Sequence, residues 1–213
     1  MTLESLLNPE VVSDPIVTPT VESRVEFEFP DYILYDPEIV GYPNTVVQDN
    51  IYNWAIEGIL TAQNVCDIGS GRGDFYRHFQ KINQAVDYIG FELMTSLVTA
   101  GNKRTTDDHF KNYLGDYLEL DAPTVDYTFC IGSLNMKNDL DKWDYLNKIF
   151  ERAMSHTNIA AVFILNRIDE EENMQGFPLE ELFSRVDMLK TVPFVLDYSK
   201  MENIYKLTVY SIT

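Results

Sequence analysis

The stretch from residue 64 to residue 79, NVCDIGSGRGDFYRHF, limits the possible folds of this chain more than any other. An apolar run ends in an acidic residue, three glycines follow at alternate positions, and a helical pattern begins at Asp74. A strand, a glycine turn and a helix in this order form a βα unit of the kind that binds phosphates or nucleotides. Glycine is needed where a side chain would hold a ligand away from the backbone, or where the turn demands dihedral angles that other residues reach only at a cost.

The spacing of the glycines separates the possible ligands. A dinucleotide loop reads G-x-G-x-x-G, whereas here the pattern is G-x-G-x-G, with Asp74 at the position of the third glycine. A carboxylate at a helix N-terminus is favourable by itself, but we expect it to repel a pyrophosphate, which argues against an NAD-dependent oxidoreductase. The chain contains no G-x-x-x-x-G-K-[ST] motif of a P-loop. Asp67, at the strand end, suits a ligand with a cationic amino group better than one with phosphates.

The pattern D-x-G-x-G-x-G resembles the first motif of class I S-adenosylmethionine-dependent methyltransferases. The resemblance implies that this part of the chain holds the methionine end of S-adenosylmethionine. The residues that match the motif or lie within it are Asp67, Gly69, Ser70, Gly71 and Gly73. A glycine turn that merely connects a strand to a helix is the alternative that the motif alone leaves open.

Two later segments resemble the same family. Residues 85–92 predict a second strand that ends in Glu92, nineteen residues after Gly73. In a doubly wound sheet this strand end lies beside the first, so the carboxylate can accept hydrogen bonds from both hydroxyls of a ribose. A third strand over residues 110–114 leads into a Gly-Asp pair, which resembles the family motif at the adenine. The family places these further residues at the cofactor: Leu93, Asp116, Tyr117, Ile131 and Gly132.

Hydrophobic periodicity predicts the remaining elements. We expect helices over residues 48–60, 74–82, 93–103, 139–156 and 179–189, and strands over 125–133, 159–165, 192–198 and 204–212. The linker SKMEN between the last two strands is too short for a crossover helix, so these strands form an antiparallel hairpin. Five βα units followed by such a hairpin resemble the sheet of the class I methyltransferases. The resemblance implies an α/β, Rossmann-like fold with a seven-stranded, mostly parallel sheet in the order 3-2-1-4-5-7-6 and a C-terminal hairpin.

The helix over residues 48–60 precedes the first strand, with Asp49 as its expected N-cap. In methyltransferases of this family such a helix often covers the cofactor, which would let Tyr42, Gln48 or Tyr52 face it. Core packing of the aromatic side chains is the other interpretation.

Residues 1–45 are interpreted as an acidic N-terminal arm, and residues 46–213 as the methyltransferase domain. The first 50 positions carry ten acidic residues against one arginine, and prolines at positions 9, 15, 19 and 30 break any helix. Within the arm, VESRVEFEF alternates between apolar and polar residues, as a strand does. The arm is either a solvated tail or a segment that adds an edge strand to a second copy or to a larger assembly.

Composition restricts partners and location. The net charge of −18 offers no basic stripe, so a nucleic acid is not expected as substrate. No apolar run approaches the ~20 residues of a membrane span, and the N-terminus lacks the pattern of a signal peptide. Cys66 and Cys130 are expected to be buried, reduced thiols, which agrees with a cytoplasmic location. The three histidines have no metal-ligand spacing, and the acidic run at 169–172 is expected to form an exposed loop, so no metal is expected.

Methyl transfer from a sulfonium is an in-line displacement, so the protein must mainly position the donor and the acceptor. A base is needed only for a hydroxyl or a protonated amine, and no residue stands out as that base. Polar residues expected at the strand ends are the candidates for a catalytic role: Asn135, Lys137, Asn166 and Arg167. The expected function is methyl transfer to a small molecule, a sugar or a protein side chain. The alternative is a non-catalytic assembly module that docks through its N-terminal arm.

Overall fold

The computed structural model describes residues 35–59, 63–137, 140–168 and 174–212 of the 213-residue chain. The predicted strand in the N-terminal arm and the acidic run at 169–172 lie outside these residues. Within the described part of the chain, no helix is both long and apolar enough to cross a membrane.

Seven strands form one sheet in the order β3-β2-β1-β4-β5-β7-β6. Strands β1 to β5 pair in parallel, and β7 runs antiparallel to both β5 and β6. This arrangement confirms the predicted strand order and the C-terminal hairpin. The strands are β1 (Asn64–Ile68), β2 (Asp87–Glu92), β3 (Phe110–Leu114), β4 (Val125–Ile131), β5 (Thr157–Asn166), β6 (Phe194–Asp197) and β7 (Ile204–Tyr210).

Helices connect the strands and cover the sheet. They are α1 (Thr45–Ile56), α2 (Asp74–Lys81), α3 (Thr95–Arg104), α4 (Lys142–Ser155) and α5 (Leu179–Arg185). Short 3₁₀ helices span Pro37–Val40, Ser133–Asn135 and Asp187–Lys190. The predicted helix over 179–189 is therefore interrupted: α5 ends at Arg185 and a 3₁₀ turn follows.

The sheet separates two hydrophobic clusters, as expected when a central strand is apolar along its whole length. One cluster packs α4 and α5 against residues such as Cys130 and Phe163, and the other packs α1 and α2 against residues such as Val65 and Phe129. Cys66 and Cys130 are both buried and carry free thiols, as predicted.

Helix α1 begins earlier than the sequence predicted, and Asp49 is not its N-cap. The cap is Asn44, whose side-chain oxygen accepts a hydrogen bond from the Val47 N–H at 3.0 Å. Asp49 lies one turn inside the helix, where it contacts His78 at 3.2 Å and Lys81. Asn caps helices as well as Asp does, and hydrophobic periodicity does not fix the first residue of a helix.

The C-terminal end of α1 is hydrogen-bonded to strands β6 and β7, at one edge of the sheet. The buried Lys206 of β7 donates to the carbonyls of Trp54 and Glu57, at 2.9 and 3.3 Å. The Trp54 indole N–H donates in turn to Asp197 of β6 at 2.7 Å. The last carbonyls of a helix lack their regular partners; Lys206 supplies a partner for the carbonyl of the C-cap residue Glu57 and a second one for the Trp54 carbonyl, which also accepts from the Glu57 N–H at 3.2 Å.

Candidate functional site

The glycine loop joins β1 to α2 at the carboxyl edge of the sheet, and its neighbours hold it in place. The N–H groups of Gly69 and Ser70 both donate to the Phe91 carbonyl of β2, at 2.8 and 3.1 Å. Asn112 of β3 donates to the Gly71 carbonyl at 2.9 Å and accepts from the Ser70 hydroxyl at 2.6 Å. Asn112 was missed in the sequence, although a polar residue between the apolar positions of a strand was a usable signal.

The three glycines serve different purposes. A Cβ on Gly69 would lie 2.1 Å from the Ser133 Cβ, and one on Gly73 would lie 2.4 Å from the Phe110 ring. These two positions therefore need glycine for packing inside the protein. Gly71, with φ of 55°, lines the cleft, as does Gly69. That these glycines clear space for a ligand stays a prediction.

Glu92 points towards this loop. One carboxylate oxygen accepts from the Gly71 N–H at 2.9 Å, and the other accepts from the Met94 N–H at 2.9 Å. Leu93, between them in sequence, is 63% exposed. The strand register places the carboxyl ends of β1 and β2 side by side, so the carboxylate and the apolar side chain lie at the rim of the cleft.

Asp67 lies at the bottom of the cleft and is 4% exposed. Its carboxylate accepts a hydrogen bond from the Tyr88 hydroxyl. Burial raises the pKa of Asp67 to about 7; the hydrogen bond from Tyr88 opposes this rise and the charge of Glu92 adds to it. Near neutral pH, the carboxyl group therefore switches between a neutral form and a charged form.

Asp74 does not present the negative charge that the sequence suggested. Its carboxylate is paired with Arg72 at 2.9 Å, with Arg104 at 3.1 Å and with Arg77. Arg72 is only 1% exposed. Burial alone would raise the pKa of Asp74, but the charges of Arg77 and Arg72 hold it below its usual value. Asp74 is therefore not expected to repel a pyrophosphate, contrary to the prediction from the sequence, because three guanidinium groups surround one carboxylate.

The cleft above the loop is small, about 30 Å³. Val40 and Tyr42, which precede α1, and Tyr52, within it, line the cleft. The predicted boundary at residue 45 therefore falls inside a region that forms the cleft. Its lining residues are Val40, Tyr42, Tyr52, Asp67, Gly69, Ser70, Gly71, Asp74 and Ile131. Gln48 lies 3.4 Å from the Asp74 carboxylate. That Tyr42, Gln48 or Tyr52 faces the cofactor stays a prediction.

The two residues expected at the adenine occupy different environments. Asp116 is partly exposed and accepts a hydrogen bond from the Leu118 N–H at 2.8 Å, which closes the turn after β3. Tyr117 is 3% exposed, with its ring edge-on to Phe91 at 5.4 Å between centroids. The structure thus places Tyr117 in the core rather than on the cleft surface, because its large ring fills space beneath β2.

Of the four polar candidates at the ends of β4 and β5, Asn135 and Asn166 hydrogen-bond to each other. Gly132, with φ of 83°, leads into the turn that carries Asn135. The Asn135 amide donates to the Asn166 side-chain oxygen at 3.2 Å and accepts from the Asn166 N–H at 3.0 Å, and both residues are buried. Arg167 donates to the Glu202 carbonyl at 3.2 Å, and Lys137 is exposed. The paired amides tie two strand ends together, and a catalytic role for any of these residues stays a prediction.

Among residues 35–59, 63–137, 140–168 and 174–212, no group of three or more His, Cys, Asp and Glu is arranged to hold a metal ion.

The sequence matches no protein-family model and no curated protein. Solved structures do match. The N-methyltransferase NodS from Bradyrhizobium japonicum, in complex with S-adenosyl-L-homocysteine, is similar over 86% of this chain and 96% of its own, with a TM-score of 0.64 and 12% identity. An S-adenosylmethionine-dependent methyltransferase from Clostridium acetobutylicum is similar over 84% of this chain and 97% of its own, with a TM-score of 0.62 and 12% identity.

A third match is magnesium protoporphyrin IX methyltransferase from Synechocystis, with bound S-adenosylmethionine. It covers 85% of this chain and 94% of its own, with a TM-score of 0.57 and 12% identity. The strand order, the antiparallel hairpin and these similarities agree. The chain has the fold of the class I S-adenosylmethionine-dependent methyltransferases.

Proposed function

We propose that this chain binds S-adenosylmethionine in the cleft above residues 69–71 and transfers its methyl group to a small-molecule, sugar or protein acceptor. The observation that carries the proposal is the position of Glu92, whose carboxylate accepts from the Gly71 N–H at the rim of the cleft that Asp67 lines. A carboxylate at the end of the second strand suits a ribose, and a second carboxylate deeper in the cleft suits an amino group.

The residues fit the cofactor in three respects. Gly71 offers bare backbone, Glu92 offers acceptors for hydroxyl groups, and the exposed Leu93 offers an apolar surface for the adenine. When bound, S-adenosylmethionine supplies a methyl group that is already activated by a sulfonium. The protein's own contribution is to fix the orientation of both reactants, which by itself can lower a barrier by several kcal/mol.

The similar structures support S-adenosylmethionine as the cofactor but do not indicate a particular acceptor. The neighbours include an enzyme that acts on a magnesium porphyrin and a glycopeptide N-methyltransferase. Another similar chain, from Haloferax volcanii, was solved with a methyltransferase activator. For this chain, assembly with a partner or a second copy through residues 1–45 therefore stays a prediction, as does location in the cytoplasm. The non-catalytic alternative is not favoured, because the enzymes with this fold bind the cofactor that the site suits.

Isothermal titration of the full chain with S-adenosyl-L-homocysteine tests the proposal. We expect binding in the micromolar range for the wild type. Glu92→Gln removes charge-assisted hydrogen bonds, each about 1.5–3 kcal/mol, and should weaken binding roughly tenfold to a hundredfold. Glu151→Gln, on the exposed face of α4, is the control and should bind like the wild type. Absence of binding heat in the wild type would overturn the proposal.

A further inference from the structure

Residues 36–42, here called the strap, lie across the glycine loop. The strap contains the 3₁₀ helix Pro37–Val40, which Asp36 caps by accepting from the Glu38 N–H at 3.0 Å. The C-cap of this 3₁₀ helix is Gly41, in the left-handed conformation with φ of 86°. The strap therefore has a defined structure of its own rather than the form of a loose connection.

Val40 occupies the space that the bare backbone of Gly71 leaves open. A Cβ on Gly71 would lie 3.2 Å from the Val40 Cγ1 atom, and Tyr42 closes the cleft beside it. The remaining volume of about 30 Å³ holds one or two waters. Clefts that hold organic ligands measure about 300 Å³ or more. The methionine portion of a cofactor and the strap in this position exclude each other.

Few interactions hold the strap in place. Its backbone hydrogen bonds to described residues all close within the strap: Ile39 to Asp36, Gly41 to Glu38 and Tyr42 to Pro37. Outside it, the ring of Tyr42 packs edge-on against Tyr52, with centroids 5.7 Å apart. No residue of its 3₁₀ helix is buried. Segments with few buried contacts open at a low cost in free energy.

We infer that residues 36–40 of the strap are a gate over the cofactor cleft: Val40 fills the space above Gly71 in the position seen, and this part must swing away at Gly41 before S-adenosylmethionine can occupy the cleft. This inference rests on the proposed function. Gly41 suits a hinge because its φ is one that other residues adopt only with strain, and nothing lies within 4 Å of a Cβ placed there. A side chain at this position therefore strains the closed strap without a clash.

The first test compares two glycines. Gly41→Ala strains the closed strap, and the cost of a left-handed alanine shifts the equilibrium towards the open form roughly fivefold to thirtyfold. We expect S-adenosyl-L-homocysteine to bind Gly41→Ala more tightly than the wild type, by at most the same factor, and to associate with it faster. Gly58→Ala is the matched control, since Gly58 has φ of 89° and open space around it but lies beyond the opposite end of α1.

The outcomes separate this inference from the proposed function. If the wild type binds and Gly41→Ala binds no more tightly than Gly58→Ala, the gate is refuted and the proposed function stands. Binding by all three proteins, with Gly41→Ala tighter than both the wild type and Gly58→Ala, would support both. Absence of binding in all three proteins would overturn both.

The second test follows the strap directly and needs no activity. A thiol reagent reacts with Val40→Cys and with the control Ile39→Cys, while Cys66 and Cys130 are buried and give little background. Because Val40 faces the cleft and Ile39 is 40% exposed, we expect slow labelling at position 40 and fast labelling at position 39. Saturating S-adenosyl-L-homocysteine should accelerate labelling at position 40 and leave position 39 unchanged. Slower labelling at position 40 on binding would overturn the gate.

Discussion

Replacing Asp67 by Asn should change how the stability of the protein depends on pH. Burial raises the pKa of this carboxyl to about 7 in the folded protein, against 3.8 for an unperturbed Asp. Between these values the folded protein holds a proton that the unfolded chain has lost, so the free energy of unfolding falls as pH rises. Above a pH of about 7 both states are ionised and the decline ends.

The magnitude follows from the same two values. From about pH 6 to about pH 8 the unfolded carboxyl stays ionised while the folded one passes through its midpoint, so the wild type loses ~1.4 kcal/mol through this group. Asn keeps the shape and can still accept from the Tyr88 hydroxyl, but it cannot ionise. Relative to the wild type, Asp67→Asn should therefore gain ~1.4 kcal/mol between the two pH values.

Urea unfolding of both proteins at the two pH values measures this difference. Histidines titrate in the same range. The quantity to compare is therefore the difference in free energy of unfolding between variant and wild type, measured at the higher pH and again at the lower pH. Asp144→Asn, at an exposed position on α4, is the control and should show a difference that does not depend on pH. If Asp67→Asn also differs from the wild type by the same amount at both pH values, then Asp67 ionises like an exposed carboxylate and the reasoning fails.

Two further variants test the packing around the site by urea unfolding. Lys206→Met removes the hydrogen bonds to the Trp54 and Glu57 carbonyls at the end of α1 and should lower the free energy of unfolding by about 1–3 kcal/mol. Lys200→Met, in a half-exposed ion pair, should have little effect; equal losses would refute the capping role. Gly69→Ala meets the Ser133 side chain, whereas Gly132→Ala has the same left-handed strain with nothing within 4 Å. Gly69→Ala should therefore be about 1–3 kcal/mol less stable than Gly132→Ala, and a smaller difference would show that Ser133 moves aside at little cost.

The sequence was sufficient for the sheet because its signals there are local. An almost unbroken apolar run in β4 and the short linker before β7 determine which strands are buried and which pair forms a hairpin. The position of Glu92 beside the glycine loop also follows from strand order alone. The buried strand and the hairpin depend on spacing along the chain, which the sequence displays, whereas the strand order was implied by the resemblance to class I methyltransferases.

The parts that the sequence did not predict depend on contacts between distant residues. The sequence around Asp74 does not indicate its ion pair with Arg104, which lies at the end of α3. The sequence around Gly71 does not indicate its contact with Val40, which lies in a segment that composition alone assigned to an acidic arm. Tyr117 has the residue type expected beside an adenine, but tertiary packing turns its ring into the core.

The bond from Lys206 to the end of α1 bears on how this protein is made. The donor and its two acceptors are 152 and 149 positions apart, so a ribosome must have produced the chain as far as β7 before they can meet. Helix α1, which roofs the ligand cleft, stays unfastened at one end throughout that time. Completion of the cleft therefore requires synthesis of β7, and a nascent chain stalled before β7 should display the glycine loop without a finished roof.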